Sequence, residues 1–251
     1  MHSWSGCSAI VLLEVGALEK SRWGRRMQFD FLELTHALEC SFSERVALRP
    51  VALCDAWPLF VATRNPMFNQ HLLWAQPGHE ELVLKRVRMI MEASRRGRLT
   101  ALSAVARQTG EFVALFRFQP HATLPGTIEM GIWLHDKYWH GRYSLELGRL
   151  CVSAAFTLSD QVQLLLGASA PGNRGSCRLM EAVGMTAGRT VQRDTEMGHQ
   201  AELVEYTLTR ADWAAGHVSG FSVYRDDRVV LKTPPARATP CVEAREAVAV
   251  E

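Results

Sequence analysis

The 251-residue chain has no long apolar run. Its longest early one, Ala9 to Val15, is broken by Glu14 and follows no basic segment. Neither a spanning helix nor a secretion signal is expected from it. The six cysteines, at 7, 40, 54, 151, 177 and 241, form no C-x-x-C pair and no zinc-ligand spacing. That argues against a disulfide scaffold or a metal finger, and for reduced thiols in a cytoplasmic protein. Charge of one sign is not in excess either: 28 Lys+Arg face 26 Asp+Glu, a net of +2. A nucleic-acid or membrane-surface partner is therefore not expected. There is no internal repeat. Gly167 to Gly175 lacks the Gly-Lys-Ser/Thr ending of a phosphate-binding P-loop. His121, His135 and His140 are not spaced as a metal set, and Cys177 has no base partner in sequence.

What is present is an ordinary globular composition, 47% hydrophobic and 22% charged. It divides into an extension, residues 1–42, a domain over 43–215 and a tail over 216–251 rich in proline and small residues. Met27, after Arg22, Arg25 and Arg26, offers an internal start. Phe29, Phe31, Leu32, Leu34 and Leu38 suit a short amphipathic element that packs on the domain. Within it, SERVALRPV predicts a first strand from Ser43, and Asp55 an N-cap for a helix over Ala56 to Arg64. His79 to Arg98 reads as a second helix with Val83, Val87, Ile90 and Ser94 on one face, its Lys and Arg residues a solvated one. Thr100 to Arg107 and Glu111 to Gln119 read as a hairpin. Gln163 to Ala168 is a buried strand, Gly175 to Val183 a helix closed by Gly184, and Arg189 to Arg193 with Glu202 to Thr209 a last antiparallel pair.

The most informative stretch is Ile128 to Gly148, IEMGIWLHDKYWHGRYSLELG. Ile128, Met130 and Ile132 alternate with Glu129, Gly131 and Trp133, as in a strand. Gly141 breaks the pattern, and Ser144 is expected as the N-cap of a helix carrying Leu147, Leu150, Cys151, Ala154 and Ala155 on one face. A strand running into a helix N-terminus presents uncapped amides and the positive end of the helix dipole to an anion.

Together with Asn173 to Met185, NRGSCRLMEAVGM, this stretch resembles the GCN5-related N-acetyltransferase (GNAT) superfamily, in its ribosomal-protein N-terminal acetyltransferase-like branch. Glu129, Gly131, Trp133, Tyr138, Trp139, Tyr143, Glu146, Asn173, Ser176, Arg178, Glu181 and Gly184 carry the resemblance. The opening strand, HLLWAQP at 71–77 and Asp212-Trp213 add to it. The resemblance implies an α/β (α+β) fold of the GNAT type. Its central sheet would be mixed and mostly antiparallel, of six or seven strands with a splayed parallel pair, flanked by about four helices. It implies acetyl-CoA as co-substrate and no metal. The pantetheine arm would enter the splay and the pyrophosphate would rest on Gly141, Arg142, Tyr143, Ser144 and Leu145. Backbone from Ile132, Trp133 and Leu134 would polarise the thioester, and Asn173 and Ser176 would contact the arm. Glu129 is the implied base, which near neutrality requires burial to raise its pKa. Ser176 is the implied acid, because methionine stands at position 180, where some branches place a tyrosine.

The turn departs from the family pattern: His140 and Arg142 occupy its two glycine positions. Two readings follow. One is an acetyl-CoA-dependent N-acetyltransferase acting on a primary amine, either a protein N-terminus or a small amine. The other is a non-catalytic GNAT-fold module that binds acyl-CoA or a protein. The acceptor is not named by any pattern, and a homodimer is compatible with both.

Overall fold

The computed structural model describes residues 29–39, 41–71, 73–139, 142–157, 159–216, 222–225 and 228–232. Seven strands form one sheet in the order β1-β2-β3-β4-β5-β7-β6. They are β1 (Val46–Pro50), β2 (Thr100–Ala106), β3 (Phe112–Pro120), β4 (Thr127–Leu134), β5 (Leu164–Ser169), β6 (Thr186–Asp194) and β7 (Gln200–Thr209). All neighbours are antiparallel except β4 and β5. That parallel pair lasts only three steps, Thr127↔Leu164, Ile128↔Leu165 and Glu129↔Leu166. Past Glu129, β4 runs on to Leu134 without a partner on that side, while β5 continues beside β7. The implied fold class is found.

Every residue of β4 is buried, so its alternation sorts side chains between two covered faces rather than between core and solvent. Ile128, Met130, Ile132 and Leu134 pack with Phe116 and Phe118 under α1 (Phe31–Leu38), α5 (Arg142–Thr157) and α6 (Arg174–Ala182). Trp133 and Leu115 point to the other face, under α2 (Ala56–Ala62), α3 (Pro66–Asn69) and α4 (Glu80–Arg95). With α7 (Arg210–Ala214) these make seven helices among the described residues, more than the four expected, the additional ones being the short α1, α3 and α7. Helix α1 buries Phe31, Leu34 and Leu38, and Asp30 caps it through the Leu32 and Glu33 amides. Gly184 ends α6 with φ +88°, a left-handed closure that favours glycine.

Three local expectations change. Asp55 precedes α2 but does not cap it with its side chain. Its buried carboxylate instead receives the Ala52 amide at 2.8 Å, Ser103 Oγ at 2.6 Å and the Arg49 guanidinium. A charge-assisted pair outcompetes a cap that is worth about 1 kcal/mol. Helix α5 begins at Arg142, so Ser144 lies inside its first turn rather than at the N-cap. Packing of Tyr143 on Tyr138, ring centroids 4.9 Å apart, draws the earlier residues into the helix. In the tail, Ser222–Arg225 and Arg228–Lys232 form a separate two-stranded hairpin, β8 and β9, where no regular element was anticipated. Met27 and the Arg22–Arg26 cluster lie outside the described residues.

Candidate active site

The splay is the centre of the site. Peptide groups alternate sides along a strand. His121 N donates to Thr127 O at 3.0 Å and His135 N to Val113 O at 2.9 Å, which turns the odd-numbered groups of β4 toward β3. The even-numbered groups face β5. A parallel pair at Glu129↔Leu166 uses the Ile128 carbonyl and the Met130 N–H. Beyond it the Met130 carbonyl, both groups of Ile132 and the Leu134 N–H face the opening with no strand partner among the described residues. The Leu134 carbonyl is taken by Trp139 Nε1 at 2.9 Å. So Ile132 and Leu134 direct peptide groups into the opening, and Trp133 does not: its peptide groups engage β3.

Of the turn, Gly141 and His140 lie outside the described residues. Arg142, exposed, and Tyr143, Ser144 and Leu145, half-buried, form the first turn of α5. That turn is anchored from below. Glu146 is buried and accepts from Arg45 N at 2.8 Å, Arg45 Nη1 at 3.1 Å and Ser43 Oγ, tying the helix start to the entry of β1. On the far side of the opening, Asn173 caps α6 by accepting from Ser176 N at 3.2 Å. Ser176 is fully buried and its Oγ has no hydrogen-bond partner among the described residues, an unspent donor at the helix start. Close packing sets this wall: a Cβ on Gly167 of β5 would stand 2.9 Å from Met180 Sδ.

The odd-numbered face carries the charged groups. Glu129 is 5% exposed. Gln119, its direct partner across β3, donates Nε2 to Glu129 Oε2 at 2.9 Å. The Nδ1 of His121 accepts the Thr123 and Leu124 amides, which leaves its proton on Nε2, 3.6 Å from Glu129 Oε1. Arg193 of β6 stands 3.8 Å from the same oxygen and 3.4 Å from Glu205 Oε1. Next along β3, Arg117 is 2% exposed, and burial pushes its guanidinium down to about 10 against the attraction of Glu129. The burial anticipated for Glu129 is therefore present, together with cationic neighbours that were not anticipated. Sequence reasoning missed Arg117. Its signal was a lone cation between Phe116 and Phe118 in an otherwise apolar strand.

Residues 73–75 cross this face. Leu73 packs on Ala168 and Leu203, and Trp74 meets Trp133 edge-on at 4.9 Å. Glu196, between β6 and β7, fastens the segment: its N–H reaches Leu73 O at 2.8 Å and its carboxylate takes the Ala75 amide and Arg86. Arg86 also lies over the Trp74 ring at 4.2 Å, so one member of the α4 basic run is recruited while Lys85, Arg88, Arg95 and Arg96 stay exposed.

The fold that builds this opening recurs in known proteins. Residues 45–186, more than half of the chain, match the model of the acetyltransferase (GNAT) domain. The chain belongs to the GNAT acetyltransferases. Among solved structures it is similar to a GNAT-family acetyltransferase from Bacillus anthracis, at 17% identity over 68% of this chain and 98% of that one, TM-score 0.58. A GCN5-related N-acetyltransferase from Brucella melitensis shares 15% identity over 71% and 81%, TM-score 0.58. The ribosomal L7/L12 α-N-protein acetyltransferase RimL, solved in complex with coenzyme A, shares 16% over 66% and 95%, TM-score 0.55. A search of curated proteins finds no match. Among the described residues no helix is long and apolar enough to cross a membrane, and no group of three His, Cys, Asp or Glu is placed to hold a metal ion.

Proposed function

We propose that this chain transfers the acetyl group of acetyl-CoA to the nitrogen of a primary amine. The observation that carries the reading is the unpartnered edge of β4 between the Met130 carbonyl and the Leu134 N–H, with Glu129 buried beside it on the same strand. Two donors and two acceptors in that edge match an extended amide-bearing arm, which would add to the sheet as a short strand. The Arg142–Leu145 turn supplies amides and the helix dipole to a diphosphate, and the Arg142 guanidinium supplies charge.

Glu129, directly or through a water, removes a proton from the amine, whose lone pair then attacks the thioester carbon. The Ile132 N–H receives the developing oxyanion, and the Leu134 N–H is left to the arm. As the C–S bond breaks, the departing sulfur needs a proton. Ser176 Oγ relays it, a role supported by its burial with the donor unspent. Met180 has no proton to give.

The cheapest test is a thermal shift with acetyl-CoA, since a ligand at 100 times its Kd stabilises by ~2.7 kcal/mol. No shift at millimolar acetyl-CoA would defeat the proposal. Thiol release with amine acceptors then separates a transferase, which liberates free CoA, from a module that only binds.

A further inference from the structure

The acceptor face is short of partners in a patterned way. Of ten buried polar side-chain atoms without a hydrogen bond among the described residues, four lie on the face that carries Glu129: Trp74 Nε1, Arg117 Nη2, Trp133 Nε1 and Gln119 Oε1. Buried donors and acceptors are paired in nearly all cases, so four orphans on one face ask for a ligand. Three of them are donors, and one of these three belongs to a guanidinium, whose natural counterpart is a carboxylate. The fourth, Gln119 Oε1, is an acceptor standing beside the Glu129 carboxylate, which suits an ammonium.

Register places these groups in order. Gln119 pairs with Glu129, Arg117 with Gly131 and Leu115 with Trp133, successive pairs on one face of the sheet. Such pairs stand roughly 7 Å apart. The middle one holds only the Arg117 side chain, because Gly131 contributes none. Gly131 also lies between Met130 and Ile132, whose peptide groups face the opening where the acetyl group is expected. At neutral pH the guanidinium is charged, and its Nη2 has no hydrogen bond among the described residues.

Resting on the transferase reading above, we propose that the acceptor is a small amino carboxylate, such as a free amino acid. Its carboxylate is held by Arg117 and the Trp74 and Trp133 indoles, and its amine by Glu129 and Gln119. The 73–75 segment, stitched to Glu196, roofs the same face and favours a compact acceptor over a chain that must thread beneath it. A polyamine would bring a second cation toward Arg117, and a peptide N-terminus would offer an uncharged amide where a carboxylate is wanted.

The experiment uses the full chain with acetyl-CoA and a panel of free amino acids. Each is matched by its decarboxylated amine and by its carboxamide, and both thiol release and thermal shift in the presence of CoA are read. At least one amino acid should exceed both matched compounds roughly 100-fold in kcat/KM, the range in which a missing charged hydrogen bond is felt. R117M should raise its KM roughly 10- to 100-fold while leaving acetyl-CoA affinity unchanged, and R117K should recover part of the loss. Equal turnover of the matched amines or amides, or an unmoved KM in R117M, overturns the inference. If CoA shifts the melting temperature but no amino acid adds to it, this inference fails alone. If CoA itself produces no shift, the transferase reading has failed first.

Discussion

Replacing Arg117 with methionine should make the unliganded protein more stable. Arg117 is 2% exposed on a central strand, and its Nη2 is without a hydrogen bond among the described residues. Burial lowers its pKa from 12.5 to about 10, even with Glu129 pulling the other way. At 1.36 kcal/mol per pKa unit, that displacement is on the order of 3 kcal/mol of folding free energy lost to carrying the charge inside. The sign follows from linkage. The folded state holds the proton less tightly than the unfolded chain, so the penalty is fully present below pH 10 and is relieved only above it. Methionine fills a similar length of apolar space, and Glu129 keeps its Gln119 hydrogen bond. A gain of about 2 kcal/mol is expected after repacking, which moves the urea midpoint up by roughly 1 M for a chain of this size. Equilibrium unfolding of both proteins at pH 7.5 measures it. A fall in the midpoint would refute the reasoning, because Arg117 would then be a structural ion-pair partner of Glu129 rather than a group kept unpaired for a ligand. Natural proteins hold such strain mainly at working sites.

Glu129→Gln should lower turnover roughly 100-fold with little change in acetyl-CoA affinity; equal turnover in steady-state assays would remove Glu129 from the role of base. Glu146→Ala takes away the acceptor for Ser43 Oγ, Arg45 N and Arg45 Nη1 and should destabilise by about 3 kcal/mol in urea unfolding. Gly167→Ala puts a methyl 2.9 Å from Met180 Sδ and should cost about 1–2 kcal/mol, less in a Met180→Ala background, as a double-mutant cycle would show. Burial holds the His71 imidazole below its usual 6.5, so unfolded chains take up that proton first. The melting temperature should therefore decline as pH falls below 6.5, and less steeply in His71→Asn, which differential scanning calorimetry across pH 7.5 to 5 would register.

Much of the fold was legible because it rests on local chemistry that recurs. The alternation in 128–133, the helical spacing after Gly141 and Gly184 after α6 are each short-range signals, and the structure keeps them. What was not legible depended on tertiary partners. Asp55 reads as a cap until Arg49 and Ser103 are brought to it across β1 and β2. Ser144 reads as a helix start until Tyr138 and Tyr143 meet. The charged cluster was the hardest part, since Glu129 alone announced itself by motif. Gln119 and Arg117 join it only through the β3–β4 register, and Arg193 through β6, which is distant in sequence and lies at the far edge of the sheet. Single residues in apolar strands carry no spacing from which a partner can be inferred.

The indole of Trp139, by occupying the Leu134 carbonyl, makes the exposed edge of β4 finite. An arm lying along it meets acceptors at Met130 and Ile132 and then none, so sliding forward one repeat would strand an amide proton against an oxygen already taken. That mismatch is worth about 1–3 kcal/mol, enough to favour one register by tenfold or more. Trp139 thus closes the open edge at the Leu134 N–H, so a strand added there is matched in one register only.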